Sequence, residues 1–200
     1  MFFRMMVFWE QRLVVLATPK TGSTALETAL EHRAAMVSRR PPEIKHTPAY
    51  RYRRFLAPWL EKTAGEPFQV VALMREPVDW LGSWYRFRQR QTRPRSRHDT
   101  SGMSFDDFVE GYIAKPRPGF ADVGSQSRFL SDGKGVGVDR IFAYERMPEF
   151  VGYLSEKLGQ SIVLQQENVS PVLTLTLSPE IHARFRAACP EDFALYQSII

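Results

Sequence analysis

A lysine two residues ahead of a glycine lies between an apolar run and an expected helix, in Ala17-Thr18-Pro19-Lys20-Thr21-Gly22-Ser23-Thr24-Ala25-Leu26. A strand-to-helix turn of this make-up can hold a phosphate. Gly22 tolerates unusual dihedrals, and the amides of Thr21 to Ala25 can point at an anion on the helix N-terminus. Set against the triphosphate loop G-x-x-x-x-G-K-[ST], Gly22 takes the second glycine and Thr24 the hydroxyl position. Ala17 then stands at the first glycine and Ser23 where the lysine belongs. Lys20 offers its ammonium from another direction. The second apolar run ends in Arg75, where a triphosphatase usually carries a magnesium-holding aspartate. An arginine there binds an anion and repels a metal ion. Both departures point away from magnesium-dependent triphosphate chemistry, toward a nucleotide with two separate anionic groups. The plain alternative for the first loop is a structural Gly/Ser/Thr turn.

The elements that would position these residues follow from hydrophobic period and capping residues. Leu13 to Ala17 and Phe68 to Met74 read as buried strands, with Val138 to Tyr144 a third candidate. Helices are expected over Thr24 to Val37, over Tyr50 to Lys62 despite Pro58, and over Val78 to Arg90 behind Pro77. Ser104 caps a short helix, Met147 to Leu158 ends at Gly159, and Ser178 starts a helix to Ala188. Glu191 to Ile199 closes the chain, and Ile44-Lys45-His46 could form a short strand. Strands alternating with helices predict an α/β fold: three layers, P-loop-like, with a central, mainly parallel sheet flanked by helices. Each strand-to-helix loop then falls on the carboxyl edge of the sheet, where such folds bind ligands.

Two hundred residues with 44% hydrophobic content predict one domain over 1–200. Residues 1–12 are expected to form an edge strand or hydrophobic arm, and 91–102 a flexible basic loop. The net charge is +5, and Arg86 to His98 holds six arginines and no acid. A second basic stretch runs from Arg39 to Arg54 with one glutamate. Such a field suits an anionic ligand or acceptor. Nucleic acid is not expected, because no recognised binding motif accompanies the charge. The single cysteine, Cys189, excludes an internal disulfide, and four scattered histidines lack metal-ligand spacing, so no metal is expected. The N-terminal apolar stretch is too short to span a bilayer and shows no cleavage site, so no transmembrane anchor or signal peptide is expected and the location reads as cytoplasmic. Asn168-Val169-Ser170 matches a glycosylation sequon but is followed by Pro171 and reads as structural.

The two loops together resemble the PAPS-dependent sulfotransferases, PAPS being 3′-phosphoadenosine 5′-phosphosulfate. "PKTGSTAL" matches the family's P-K-x-G-[ST]-[ST]. "REPVDWLGSWY" matches R-[DE]-P followed by a serine eight residues after the arginine. Weaker matches, in the family's order and toward its carbohydrate and Golgi-like branch with bacterial relatives, are "VGSQSRFL", "DRIFAYERMPEFVGYLSEKLG", "ENVSP" and the closing helices. Gly124 and Phe129 depart from the pattern P-Q-S-x-Y-L.

The resemblance implies that Lys20, Thr21, Gly22, Ser23, Thr24 and Ala25 hold the 5′-phosphosulfate and that Arg75 and Ser83 hold the 3′-phosphate. It implies sulfuryl transfer from PAPS, leaving PAP, to a hydroxyl or amine of a small-molecule or glycan acceptor, with an anionic acceptor favoured by the basic loop. Lys20 would stabilise developing charge, and His46 is the candidate base. Glu145 is an alternative base or a brace acting through an arginine, and Lys45 could assist with charge. Gln126, Ser127 and Arg128 are weaker nucleotide contacts, while His98 reads as exposed. Two other readings remain: a non-catalytic nucleotide- or glycan-binding relative, and a P-loop small-molecule kinase.

Overall fold

The computed structural model describes residues 5–39, 41, 44, 46–91, 96–164 and 175–200. Lys45, the Asn168–Ser170 sequon and the "ENVSP" match lie outside them. Five strands form one open mixed sheet: β1 (Met6–Phe8), β2 (Leu13–Leu16), β3 (Met36–Val37), β4 (Gln69–Met74) and β5 (Arg140–Ala143), in the order β3-β1-β2-β4-β5. β2 runs parallel to β4 and β4 to β5, whereas β1 is antiparallel to both β2 and β3. The sheet is therefore half parallel where a mainly parallel one was expected. The reason is local. Four residues join β1 to β2, and a connection that short can only return the chain antiparallel.

The N-terminal strand is not the edge. It sits between β2 and β3, and all three of its residues are buried. The edge on that side is β3, cut from what the sequence suggests is the tail of the first helix. That helix, α1 (Ser23–Leu30), gives way to a 3₁₀ turn over Glu31–Arg33. Ala35 N–H then donates to Val7 O (2.8 Å) and Ser38 N–H to Met5 O (3.0 Å). Pairing the open side of β1 outweighs the helical preference of two or three residues, since unpaired strand edges are costly.

α2 spans residues 49–64 and carries a π-helical turn over Tyr52–Leu56 immediately before Pro58. Proline lacks the N–H that would reach back one turn and its ring crowds that carbonyl, so the helix widens there and continues. The remaining helices are α3 (Pro77–Arg90), α4 (Phe105–Ile113), α5 (Gln126–Leu130), α6 (Met147–Leu158), α7 (Pro179–Ala188) and α8 (Pro190–Gln197). The predicted ends recur where a cap dictates them. Ser104 and Asp107 close a capping box before α4, Ser178 accepts from Ile181 N–H before α7, and Gly159 ends α6 at φ 64°. Ile44 and His46 belong to no strand.

Period-two alternation divides the core into layers. Val15, Val71, Leu73 and Phe142 pack on one sheet face with Leu26 and Leu30 of α1 and Phe150 and Leu154 of α6. Val14, Leu16, Val70 and Ala72 pack on the other with Tyr52 and Leu60 of α2 and Leu130 of α5. A third cluster joins α3, α4, α7 and α8 through Trp80, Phe108, Tyr112, Phe185 and Phe193. Each fully buried Phe or Leu in these layers contributes about 2 kcal/mol by area. Together they fix the carboxyl ends of β2, β4 and β5 side by side.

Candidate functional site

Because β2, β4 and β5 are parallel and in register (Leu16↔Ala72, Met74↔Ala143), the loops that follow them open on one sheet edge. The first loop leaves β2 and turns through two left-handed residues, Lys20 (φ 67°) and Gly22 (φ 66°). Thr21 Oγ1 donates to Thr18 O at 2.9 Å and pins the turn. Trp80 Nε1, from α3, donates to Pro19 O at 2.8 Å and ties this loop to the segment after β4. Ser23, Thr24 and Ala25 form the first turn of α1, whose N-cap is Gly22.

Gly22 is required twice over. Its dihedral disfavours any L side chain, and a Cβ there would lie 2.4 Å from the Tyr144 ring. That ring has a second neighbour, since the Arg75 guanidinium stacks on it 4.6 Å from its centre. Tyr144 thus joins the first loop to the residue that follows β4.

Arg75 is held by its backbone. Gln126, 1% exposed at the start of α5, accepts from Arg75 N–H through Oε1 (2.9 Å) and donates to Arg75 O through Nε2 (2.7 Å). The Arg75 side chain is 14% exposed and contacts Asp79 at 3.3 Å. Among the described residues its buried Nε has no hydrogen-bond partner. A buried donor in that state costs free energy unless something accepts from it.

Lys20 and α3 complete the arrangement. The stripe Trp80, Ser83, Trp84, Phe87 and Arg90 follows helical spacing along one side of α3. The Lys20 ammonium lies over Phe87 (4.1 Å) and Trp84 (5.3 Å) on that stripe. Burial, then repulsion from Arg90, Arg75, Arg86 and Arg88, lowers its pKa from 10.5 to about 8. Burial first, then Arg75, also lowers Arg86. Ser83 is half-buried on the same helix. Lys20 therefore sits in a partly desolvated place where neighbouring arginines destabilise its ammonium and an anion would stabilise it.

His46 comes to this edge from the connection before α2. Its Nδ1 lies 2.9 Å from Ala17 O, the residue that opens the first loop. A carbonyl only accepts, so Nδ1 carries the proton and Nε2 is the basic nitrogen of the neutral ring.

No family model matches the chain, and no curated protein matches it. The site therefore rests on its own geometry. Among the other candidates named from sequence, Glu145 and Ser127 make contacts that brace neighbouring segments. Glu145 braces loops, and among the described residues it does so without an arginine: it accepts from Glu76 N–H (2.9 Å) and from Tyr196 Oη–H (2.8 Å). Ser127 donates its N–H to buried Asp192 (2.7 Å), and Arg128 is exposed. His98 Nδ1 lies 3.0 Å from Gly119 O, and Gln89 donates to Thr100 O at 2.9 Å, so residues 96–102 are tied to their surroundings. Two clefts, of about 470 and 330 Å³, lie elsewhere, the first between α4 and α7 and the second along the 114–125 segment with Arg128 in its lining, and none of Lys20, His46, Arg75 or Ser83 lines them. Among the described residues no group of three or more His, Cys, Asp or Glu could hold a metal, and no helix is long and apolar enough to cross a membrane.

Tyr144 and Trp80 lie inside the matched stretches without being singled out there, and with Phe87 they become neighbours of the candidate site only through the fold. Gln126 gives the site an energetic test. Replacing it with leucine removes both partners of the Arg75 backbone, and two buried polar groups then lose their bonds. The expected loss is about 2–4 kcal/mol of folding stability, read as a lower urea midpoint at unchanged m-value.

Proposed function

We propose that the chain is a PAPS-dependent sulfotransferase, with the first loop and α1 forming the P-loop-like part of its fold. The observation that carries this reading is the convergence of Lys20, Arg75, Arg86 and Arg90 around two adjacent loops, with the buried Arg75 Nε lacking an acceptor among the described residues. These groups fit a ligand with anionic groups at two places. Lys20 and the amides at the start of α1 would take the 5′-phosphosulfate, and Arg75 with Ser83 the 3′-phosphate. PAPS, when bound, supplies an activated sulfuryl group. Lys20 and the α1 amides would stabilise the charge that grows on the departing oxygen, with no reorganisation because Tyr144 and Trp80 hold the loop. His46, its Nδ1 proton committed to Ala17 O, would accept the acceptor's proton at Nε2. The acceptor is a hydroxyl or amine, carbohydrates included, and the surrounding arginines favour an anionic one.

Calorimetric titration with PAP, PAPS and Mg-ATP tests the donor. Micromolar binding of PAP with weaker Mg-ATP binding is expected, and the reverse order would support a small-molecule kinase. Transfer of labelled sulfate across an acceptor panel, lost in His46→Ala, separates an enzyme from a non-catalytic binding relative. The pH dependence follows from Lys20. A bound phosphate stabilises the ammonium and raises its pKa from about 8, so binding takes up protons near that pH. Affinity for PAP should hold below pH 8 and weaken as pH rises above it. The heat of binding at pH 8 should change with the ionisation enthalpy of the buffer, and a buffer-independent heat would contradict the placement of Lys20.

A further inference from the structure

The outward side of α2 carries two large, well-exposed aromatic rings. Tyr52, Ala57 and Leu60 face the sheet, yet Phe55 is 63% and Trp59 60% exposed, one turn apart. Large aromatics exposed to that degree and adjacent to each other mark a surface that meets something apolar. The cations are on the same side: Arg51, Arg54 and Lys62 are all exposed. The Arg54 guanidinium lies 5.2 Å over the Phe55 ring, and that of Arg51 lies 5.6 Å over Tyr50. Arginine placed this way covers a ring with its stem and keeps its charge at the water line. Residues 49–64 contain four basic residues and one acid, Glu61, which is half-buried. Arg53 is set apart from the stripe by its contact with Asp139 (2.9 Å).

A convex helix with two protruding aromatics and a flanking set of cations fits a plane that is apolar just beneath an anionic surface. We propose that α2 is a peripheral membrane-docking element that lies along an anionic bilayer. Phe55 and Trp59 enter the boundary between headgroups and acyl chains, and Arg54 and Lys62 meet lipid phosphates. A neutral apolar protein partner would leave Arg54 and Lys62 unanswered, and an acidic polymer would leave the two rings in water. The inference is independent of the sulfotransferase reading, since none of these residues belongs to the candidate site.

The test is flotation of the full chain with vesicles of phosphatidylcholine, with and without phosphatidylglycerol. Binding is expected only to the acidic vesicles, together with a blue shift of tryptophan emission. Phe55→Ser/Trp59→Ser should lower partition by about tenfold or more, and Arg54→Gln or Lys62→Gln by about fivefold each. Trp59→Phe should keep binding and lose the blue shift. Unchanged circular dichroism and melting temperature are expected for all of these exposed positions and would separate lost docking from lost folding. Failure to bind acidic vesicles, or equal binding by the double serine variant, overturns the proposal. So does binding to soluble dextran sulfate in place of vesicles, or a dimer in sedimentation that the double variant dissolves.

Discussion

Replacing Lys20 with glycine is expected to raise the stability of the protein while lowering sulfate transfer by about a hundredfold or more. The two effects have separate causes in the same residue. Lys20 holds φ 67°, a region that costs an L residue about 1–2 kcal/mol and a glycine nothing. Its ammonium is also desolvated among arginines. Against these gains stand the greater chain entropy of unfolded glycine and the loss of the contact with Phe87, about 0.5–1 kcal/mol each. The expected balance is about 1 kcal/mol in favour of the variant at pH 7.

The sign of the pH dependence separates the two contributions. The folded pKa of Lys20, about 8, lies below its ordinary 10.5, so the unfolded chain holds the proton more tightly. The electrostatic penalty is full below pH 8 and fades as pH rises toward 10.5. The advantage of Lys20→Gly should therefore shrink between pH 7 and pH 10, leaving the backbone part. Urea melts at the two pH values and a transfer assay with labelled PAPS check both halves. A variant that kept full transfer would remove Lys20 from the proposed mechanism, and one that lost stability would show that the Phe87 contact outweighs the strain.

Gly22→Ala should do the opposite, costing about 2 kcal/mol or more of stability and weakening PAP binding as well. Half of the cost is the left-handed dihedral. The rest is the Tyr144 ring, which the new methyl would meet at 2.4 Å and push toward Arg75. The double variant Gly22→Ala/Tyr144→Ala removes the collision and leaves the dihedral strain. Its loss should fall short of the sum of the single losses by about 1 kcal/mol. Additive losses would mean that the ring yields freely and does not couple the two loops. PAP titration of the three variants then reads the same coupling at the ligand.

The helix ends and buried strands were legible because their causes are local. Ser104, Ser178 and Gly159 satisfy backbone groups within a few residues, and continuous apolar runs mark strands covered on both faces. The pairing of β3 with β1 was not legible, because Met36 and Val37 have no local reason to leave a helical pattern; the reason is an open edge some thirty residues earlier in the chain. The same divide runs through the site. Lys20, Gly22 and Arg75 could be singled out from residue type and spacing, whereas Ser83 and His46 entered through the family resemblance. Tyr144 could not, since its importance lies in filling the gap between Gly22 and Arg75. Nor could Gln126, an amide 51 residues from the backbone that it clamps.

By itself, then, the order of residues determined an α/β chain with two anion-suited loops, each behind a buried strand and ahead of a helix. Only the tertiary structure decided that those loops open side by side, because the parallel register of β2, β4 and β5 is a contact between distant segments. It also decided that Lys20 shares its surroundings with arginines of α3. Residue types and local spacing encode which groups are present; the charge each one feels depends on what folding brings within a few ångströms of it.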